Sequence, residues 1–367
     1  MKHALMRAAS AAQVFAMVAR SRWRGRRLLI LGYHGVALAD EHRWNPPLYM
    51  APDVFRRRLA LLRTHRCAVL GLDAALAHLA AGTLPPRAVT LTFDDGFHDF
   101  HARALPLLQE FGYPATVYLT THYAGRDMPV FDVALSYLLW RGRGLRLGAV
   151  LDGDDDTPDP RLDTPYELAS AARRADAWRA VRDGAGARGW DTAQKDALAA
   201  RLAGVLGVDY AALRAERLLH LMTPPEVAAC AAAGVTFALH THRHRTPTDR
   251  ATFVEELATN REALRAMLPE DRWSRAGVQH FCYPSGDYRP EYEGWLAAGI
   301  VSATTCVPGL CTARTPALAL PRFVDGGHVP AVIFEAAITG TLSLVRQAVG
   351  RVARRRLRAG HPPGLLP

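Results

Sequence analysis

The chain has 367 residues, of which 49% are hydrophobic, and its 45 Lys plus Arg against 35 Asp plus Glu give a net charge of +10. The apolar content excludes an intrinsically disordered chain. No uninterrupted apolar run reaches ~18 residues, which excludes a polytopic membrane protein. Only Lys2 and Lys195 are lysines, so the basic excess reflects either an Arg-rich composition or a surface for an anionic partner.

Residues 1–27 form a basic N-terminal segment. The pattern predicts a helix over 3–19, with one charge inside it, Arg7. Five arginines follow: Arg20, Arg22, Arg24, Arg26 and Arg27. A secretory signal places its positive charge before the apolar stretch and a small-residue cleavage site after it. We therefore expect no export and a cytoplasmic protein, with an interfacial helix as the functional alternative.

From residue 28 onward, short apolar runs alternate with helical stretches. The predicted strands are 28–33, 88–93, 115–120, 235–240, 279–283, 300–305 and 318–323. Helices are predicted over 52–64, opened by Pro52, and over 100–111, closed by Gly112. Strands that alternate with helices imply parallel β/α units, and about seven units in ~300 residues predict an α/β barrel. Length alone allows one large domain or two ordinary ones.

Residues 124–222 interrupt this alternation and predict a helical, partly acidic insertion. The insertion begins with an apolar run over 130–140, continues through six aspartates between 152 and 163, and ends in Ala-rich helices. A calcium-binding loop would need a glutamate at the end of a twelve-residue loop, and none stands there. The aspartates therefore predict a solvated loop.

Polar side chains follow four of the predicted strands, at the point where each apolar run stops. These side chains are His34, the pair Asp94-Asp95, the segment His240 to His244, and the segment that begins at Pro284. In a β/α barrel the carboxyl ends of the strands converge on one face, and that face holds the active site. We therefore expect these four clusters to meet.

The adjacent carboxylates Asp94 and Asp95 repel each other, and at a strand end they point in different directions. The arrangement suits one carboxylate that binds a cation and a neighbour that serves as a base. The alternative is a helix N-cap, a common role for a single aspartate.

His240 and His244 are four positions apart and can chelate one Zn²⁺, with a carboxylate as the third ligand. Two histidines and one carboxylate leave open positions, which is typical of a catalytic site in which the pKa of bound water falls towards ~7. Co²⁺ and Ni²⁺ suit the same ligands. The alternative is a His-rich surface loop. The single histidine His34 would orient Asp95 or contact substrate.

TFDDG (92–96), HTHRH (240–244) and FCYPSG (281–286) resemble the motifs of the polysaccharide deacetylases, carbohydrate esterase family 4, whose domain is named for the nodulation chitooligosaccharide deacetylase. YHGV (33–36), PATVYLTT (114–121) and LPRF (320–323) resemble the branch that acts on exopolysaccharides and poly-N-acetylglucosamine. The resemblance implies a distorted, incomplete (β/α)₇ barrel with a helical insertion. We place this domain over 28–335.

The resemblance also implies roles for individual residues. Asp94 would be the general base, and the metal ligands would be Asp95, His240 and His244. The substrate contacts would be His34, Tyr283, Pro284 and Gly286, with the backbone N–H next to Tyr283 in the oxyanion hole. The family often has an arginine that pairs with the base at the start of its third motif. Here Phe281 or Cys282 stands there, and we expect Arg322 to substitute. The family's general-acid motif is not evident, and His328 is assigned to that role.

This resemblance implies a metal-dependent hydrolase that removes N-acetyl groups from the amino sugars of a polysaccharide or a lipid-linked glycan. The alternatives are a hydrolase of a non-sugar amide on the same barrel and a non-catalytic glycan-binding relic. A nucleic-acid partner is not expected, because most basic runs lack interleaved aromatic residues and no nucleic-acid-binding module is present.

The charge is concentrated at the two ends of the chain. Residues 1–27 carry seven positive charges and residues 341–367 carry six, with no acid in either segment, so 32 Lys plus Arg against 35 Asp plus Glu remain for the rest. An amphipathic helix is predicted over 341–358, within a basic C-terminal segment that we place at 336–367. We expect both segments to bind anionic lipid at the inner face of the cytoplasmic membrane, beside a lipid-linked substrate. The alternative is a C-terminal helix that closes the barrel.

Overall fold

The computed structural model describes residues 14–147, 165–270, 278–296 and 299–358, with side chains up to residue 349 at the C-terminal end. The helix predicted over 3–19 is seen in its second part, as Val14–Arg20. Its first part and the acidic loop around 152–163 lie outside the described residues.

One parallel sheet of seven strands forms the centre of the molecule. The strands are β1 (Leu29–Tyr33), β2 (Val89–Phe93), β3 (Thr116–Leu119), β4 (Thr236–Leu239), β5 (His280–Cys282), β6 (Ser302–Thr304) and β7 (Phe323–Val324). Their order is β6-β5-β4-β3-β2-β1-β7, and every ladder is parallel. The predicted distorted, incomplete (β/α)₇ barrel is therefore confirmed. Two pairs of two-residue strands lie outside this sheet, at Gly35–Val36 with Tyr49–Met50 and at Arg146–Leu147 with Tyr166–Glu167.

An irregular segment links the two edges of this sheet. Leu320 donates its N–H to Ala303 O of β6 at 2.8 Å, and two residues of the same segment, Phe323–Val324, pair with β1. The strand predicted over 318–323 is therefore wrong, because Ala317–Ala319 is a 3₁₀ turn and only the end of the segment is a strand. Pro321 has no N–H to donate to a ladder, which explains the interruption.

Helices surround the sheet. In chain order they are α1 (Val14–Arg20), α2 (Arg22–Gly25), α3 (Glu41–Trp44), α4 (Pro52–Thr64), α5 (Leu72–Ala81), α6 (Leu105–Phe111), α7 (Phe131–Arg141), α8 (Ala171–Ala187), α9 (Thr192–Val205), α10 (Tyr210–Ala215), α11 (Pro224–Ala232), α12 (Arg250–Met267), α13 (Pro290–Leu296), α14 (Ala331–Thr339) and α15 (Thr341–Arg358). The helix predicted over 100–111 begins with a π turn, Phe100–Ala104, and becomes α-helical only afterwards. Pro106 cannot donate the N–H of an α-helical bond, which favours this irregular start.

The insertion has a hydrophobic core of its own, formed mainly by α7, α8 and α9. Leu138, Val181 and Leu202 are fully buried in it, and this cluster is separate from the cluster that fills the barrel. The insertion therefore contributes a second wall beside the barrel.

The N-terminal and C-terminal helices pack against each other. Phe15 of α1 is buried among residues of α14 and α15, including Val332, Ile333 and Leu342. Arg24 of α2 is fully buried and donates to Ile338 O and Ala88 O, each at 3.2 Å. Because Ala88 precedes β2, these helices lie at the amino ends of the strands.

Within the described ranges, no single helix has the length and apolar content needed to cross a membrane. The consecutive helices Ala331–Thr339 and Thr341–Val349 pass that test only as a pair, and they are bent by 88° at the break between them.

Candidate active site

The register of the sheet brings His34 and Asp94 together. Tyr33 of β1 is opposite Phe93 of β2, and the N–H of Asp94 donates to Tyr33 O at 2.9 Å. His34 and Asp94, which directly follow these two residues, therefore lie side by side at the carboxyl end of the sheet. His34 Nε2 is 3.8 Å from Asp94 Oδ2, and His34 Nδ1 is buried without a hydrogen-bond partner.

Arg322 forms a bidentate ion pair with Asp94. Its Nη1 and Nη2 atoms donate to the two carboxylate oxygens at 2.7 Å each, and both side chains are buried. Nε of Arg322 donates to Thr305 O at 3.1 Å, so the guanidinium is held from both sides. The guanidinium packs against Gly32, where a Cβ would lie 3.4 Å from Nη1.

This pair controls the charge of Asp94. Burial acts to raise the pKa of the carboxyl group, but the Arg322 charge and its hydrogen bonds, aided by His240 and His34, lower it to about 2. Asp94 is therefore a fixed, ionised acceptor at neutral pH.

Asp95, His240 and His244 form a group in which a divalent cation would fit. Asp95 Oδ1 is 3.3 Å from Nε2 of each histidine. The same oxygen is buried and makes no hydrogen bond, so a buried carboxylate atom is left for another partner. One carboxylate and two imidazoles are a ligand set that Zn²⁺ accepts. Burial acts to raise the pKa of Asp95, but the charges of His244 and His240 hold it well below its usual range.

The orientation of His240 is fixed by groups behind it. Its Nδ1 is 2.8 Å from Cys282 O, which leaves Nε2 directed at Asp95. Asn260 of α12 accepts the N–H of His240 at 3.0 Å and donates to Leu119 O at 3.0 Å.

Asn260 and Glu256, which the sequence analysis did not assign, hold the histidine loop. Glu256 accepts the N–H of Arg243 at 2.8 Å through its side chain and the N–H of His242 through its backbone. Both residues interrupt the buried face of α12, between Phe253 and Leu264. A polar residue at such a position was the signal that could have identified them.

Several residues of the site have left-handed backbone. Asp95, Thr241, His244 and Ser285 have φ values of 68°, 60°, 55° and 56°. Such conformations are unfavourable for residues with a side chain and are often found at functional sites. Gly96, at φ 82°, is required by its surroundings, because a Cβ there would lie 2.1 Å from Leu119.

The third motif lies at the same end of the sheet, with contacts that differ from the predicted ones. The N–H of Tyr283 donates to Thr304 O at 3.2 Å, so that group is engaged in the sheet. Pro284 is buried in a 3₁₀ turn. A Cβ at Gly286 would lie 2.8 Å from Cys306 Cβ, so in this structure Cys306 occupies the space beside the glycine.

Cys282, one of the two residues at the position of the family arginine, also contacts the site. Its Sγ is 3.0 Å from Arg322 Nη2 and 3.6 Å from Asp94 Oδ2. His328, in contrast, is exposed after β7, and within the described part of the chain no hydrogen bond or ion pair joins it to Asp94 or Asp95.

The comparisons with known proteins agree with this geometry. Residues 81–141 match the family model described as polysaccharide deacetylase. A poly-β-1,6-N-acetyl-D-glucosamine N-deacetylase of Escherichia coli K12 is 30% identical over 101 residues, which are 27% of this chain. The matched segment spans only 15% of the length of that relative.

Two solved structures share the fold. IcaB from Ammonifex degensii has a TM-score of 0.52 at 16% identity, over 86% of this chain and 98% of its own. The deacetylase PplD from Streptococcus pyogenes, in complex with acetate, has a TM-score of 0.51 at 17% identity, over 82% of this chain and 93% of its own. Over residues 81–141, which include the TFDDG segment, the chain matches the polysaccharide deacetylase family, and its fold is the one that these two solved structures share.

Proposed function

We propose that the protein is a hydrolase that removes N-acetyl groups from the amino sugars of a polysaccharide or a lipid-linked glycan. The observation that carries this proposal is the buried Asp94–Arg322 pair beside the group Asp95, His240 and His244. A fixed carboxylate acceptor next to three converging ligands suits the hydrolysis of an amide, which is a poor electrophile. The name of the E. coli relative makes poly-N-acetylglucosamine the first substrate to test.

Asp95, His240 and His244 would hold the divalent metal, with Zn²⁺ preferred and Co²⁺ or Ni²⁺ as substitutes. When bound, the ion supplies a Lewis acid that polarises the amide carbonyl and lowers the pKa of water. Asn260 and Cys282 O hold His240 in the orientation that this role requires.

Asp94 accepts the proton of the attacking water. Its low pKa makes it a weak base in isolation, so its contribution depends on position, which Arg322 fixes through the bidentate pair. Arg322 thus acts through Asp94 and is a positioning residue.

The leaving amine must gain a proton. His34 is better placed to donate it than His328, because His34 Nε2 lies 3.8 Å from Asp94 Oδ2 while His328 is exposed beyond the cluster. Histidine changes its charge near neutral pH, which suits a proton donor.

The decisive experiment combines metal analysis with acetate release from N-acetylglucosamine oligomers. We expect about one Zn²⁺ per chain and a Zn²⁺-dependent release of acetate. His240→Ala should lose both metal and activity, whereas Asp94→Asn should keep the metal and lose activity by 10²-fold or more. Unchanged acetate release by Asp94→Asn would overturn the assignment of the base.

The alternatives give different results in the same experiment. Release of acetate from N-acetylated amines but from no sugar would favour a hydrolase of non-sugar amides. Binding of oligomers without acetate release at any metal load would favour a glycan-binding relic.

We further propose that the basic terminal segments bind an anionic membrane surface on the cytoplasmic side. Support comes from the packing of α1 against α14 and the start of α15, which joins the described parts of the two segments into one surface. Exposed arginines and the exposed side chains of Met17 and Val349 lie on that surface. Because it is at the amino ends of the strands, the active site faces away from it, which favours a glycan that approaches from the aqueous side.

A further inference from the structure

We propose that a tryptophan-lined groove between the insertion and the segment 44–48 binds additional sugar units of the glycan. This inference rests on the proposed function and extends it from the reacting sugar to its neighbours in the chain. The groove has a volume of about 490 Å³, within the range of ligand sites.

Three tryptophans form the apolar part of the groove. Trp44 comes from α3, Trp140 from α7 and Trp178 from α8, and all three are partly exposed. The indole N–H of Trp178 donates to Asp132 O at 2.8 Å, which fixes that ring. The Arg143 guanidinium lies over Trp140 at 4.3 Å, so this ring is also restrained. Rigid aromatic rings bind a ligand with little loss of conformational freedom.

Polar side chains stand between these rings. They are Asn45, Asp132, Ser136 and Arg174, and they provide donors and acceptors beside the indole surfaces. A pyranose ring has the complementary chemistry, because its C–H faces pack on aromatic rings and its equatorial hydroxyls form hydrogen bonds. An acyl chain would offer no hydrogen-bond partner to Asn45, Asp132 and Ser136, at a cost in free energy, whereas Arg174 already donates to Leu168 O at 2.9 Å.

Both walls of the groove begin beside the active site. On one wall, Leu48 O accepts the N–H of Gly35 at 2.9 Å, and Gly35 follows His34. On the other wall, the carboxyl group of Asp132 lies within electrostatic reach of Arg245, which follows His244. A glycan with its reacting sugar at Asp94 could therefore continue into the groove.

The test compares N-acetylglucosamine oligomers of different length on the full chain. For the Trp178→Ala and Trp140→Ala variants, we expect KM for a hexamer to rise about tenfold while kcat/KM for a dimer stays within twofold. Trp190→Ala is the matched control, because Trp190 packs in the same insertion but does not line the groove. Equal losses for dimer and hexamer, or the same loss in Trp190→Ala, would overturn the proposal.

A binding measurement separates this inference from the catalytic proposal. In an Asp94→Asn background, titration with the hexamer should quench tryptophan fluorescence, and Trp178→Ala should weaken Kd about tenfold. Hexamer binding that needs Trp178, together with no acetate release by the wild-type protein with its metal bound, would support the groove and reject the deacetylase. Acetate release with no dependence on oligomer length would reject the groove and support the deacetylase.

Discussion

The buried pair of Asp94 and Arg322 shows how one carboxylate is kept ionised inside the barrel. Both groups are taken out of water, which is unfavourable for each alone, and the bidentate contact compensates for this loss. The two residues are far apart in the sequence, and they meet because β2 and β7 pair with β1 on its two sides. The same contact fixes the direction in which the two carboxylate oxygens point.

The role of Arg322 predicts a specific kinetic result. Arg322→Lys keeps a positive charge but cannot form the bidentate ion pair, so the carboxylate of Asp94 should no longer be held in one orientation. We expect kcat for acetate release to fall at least tenfold, with KM and metal content unchanged.

Metal analysis and circular dichroism of Arg322→Lys separate this effect from misfolding. A loss of bound Zn²⁺ in step with activity would contradict a positioning role. The exposed Arg103→Lys variant is the control, because Arg103 lies on the outer surface.

At the scale of secondary-structure elements, Glu226 links α11 to the segment that precedes the π turn Phe100–Ala104. Its Oε2 accepts the N–H of Thr223 at 2.8 Å in a capping box, and its Oε1 contacts His98 at 2.9 Å. Arg217 donates to the same oxygen. Burial acts to raise the pKa of Glu226, but these partners, led by His98, lower it to about 2. Glu226, His98 and His101 are close enough together to ligate a metal ion. In this structure the guanidinium of Arg217 contacts His98 and Glu226 and so takes the place of such an ion.

This shift predicts a pH-dependent stability. A folded-state pKa below the unfolded value of 4.5 adds stability above pH 4.5, and that stability is lost as the pH falls towards 2. Between pH 5.5 and 3.5 we expect the wild-type protein to lose about 1 kcal/mol more unfolding free energy than Glu226→Gln, measured by urea denaturation. The exposed Glu262→Gln variant should behave like the wild type, and equal slopes for all three proteins would refute the assignment.

At the scale of the whole molecule, the described parts of the two terminal segments pack together at the end opposite the active site. Arg24, one of the five arginines in the N-terminal basic run, is buried and anchors α2 through Ile338 O and Ala88 O. Strand β1 separates this end from His34 by five residues, or about 16 Å of extended chain. A membrane at this surface would leave the site open to solvent.

Vesicle co-sedimentation tests this orientation. Charge reversal at Arg20, Arg22 and Arg346, all exposed, should weaken binding to phosphatidylglycerol-containing vesicles about a hundredfold or more, since each basic residue contributes roughly 1 kcal/mol. The matched control reverses three exposed arginines elsewhere, Arg103, Arg173 and Arg201. Equal weakening in the control, or equal binding to vesicles of phosphatidylcholine alone, would contradict a specific surface.

Thiol labelling reports the orientation directly. With vesicles bound, a cysteine introduced by Met17→Cys should be protected from a water-soluble maleimide. The native, exposed Cys306 at the opposite end should stay reactive. Protection of Cys306 instead would mean that the active-site face lies on the membrane.

The sequence by itself determined the strands, the barrel and the candidate metal ligands, because strand periodicity and motifs such as TFDDG are local. The sequence also located the segment from 318 to 323, but it did not predict the turn inside this segment. Pro321 interrupts the strand pairing there, and the strands with which the segment pairs are far away in the sequence. Only the tertiary structure decided which groups meet. The Arg322 contact, the support from Asn260, the exposed position of His328 and the burial of Arg24 depend on register and packing between remote segments. The terminal segments follow the same rule, because composition shows their charge and only packing shows that their described helices lie at the end opposite the site.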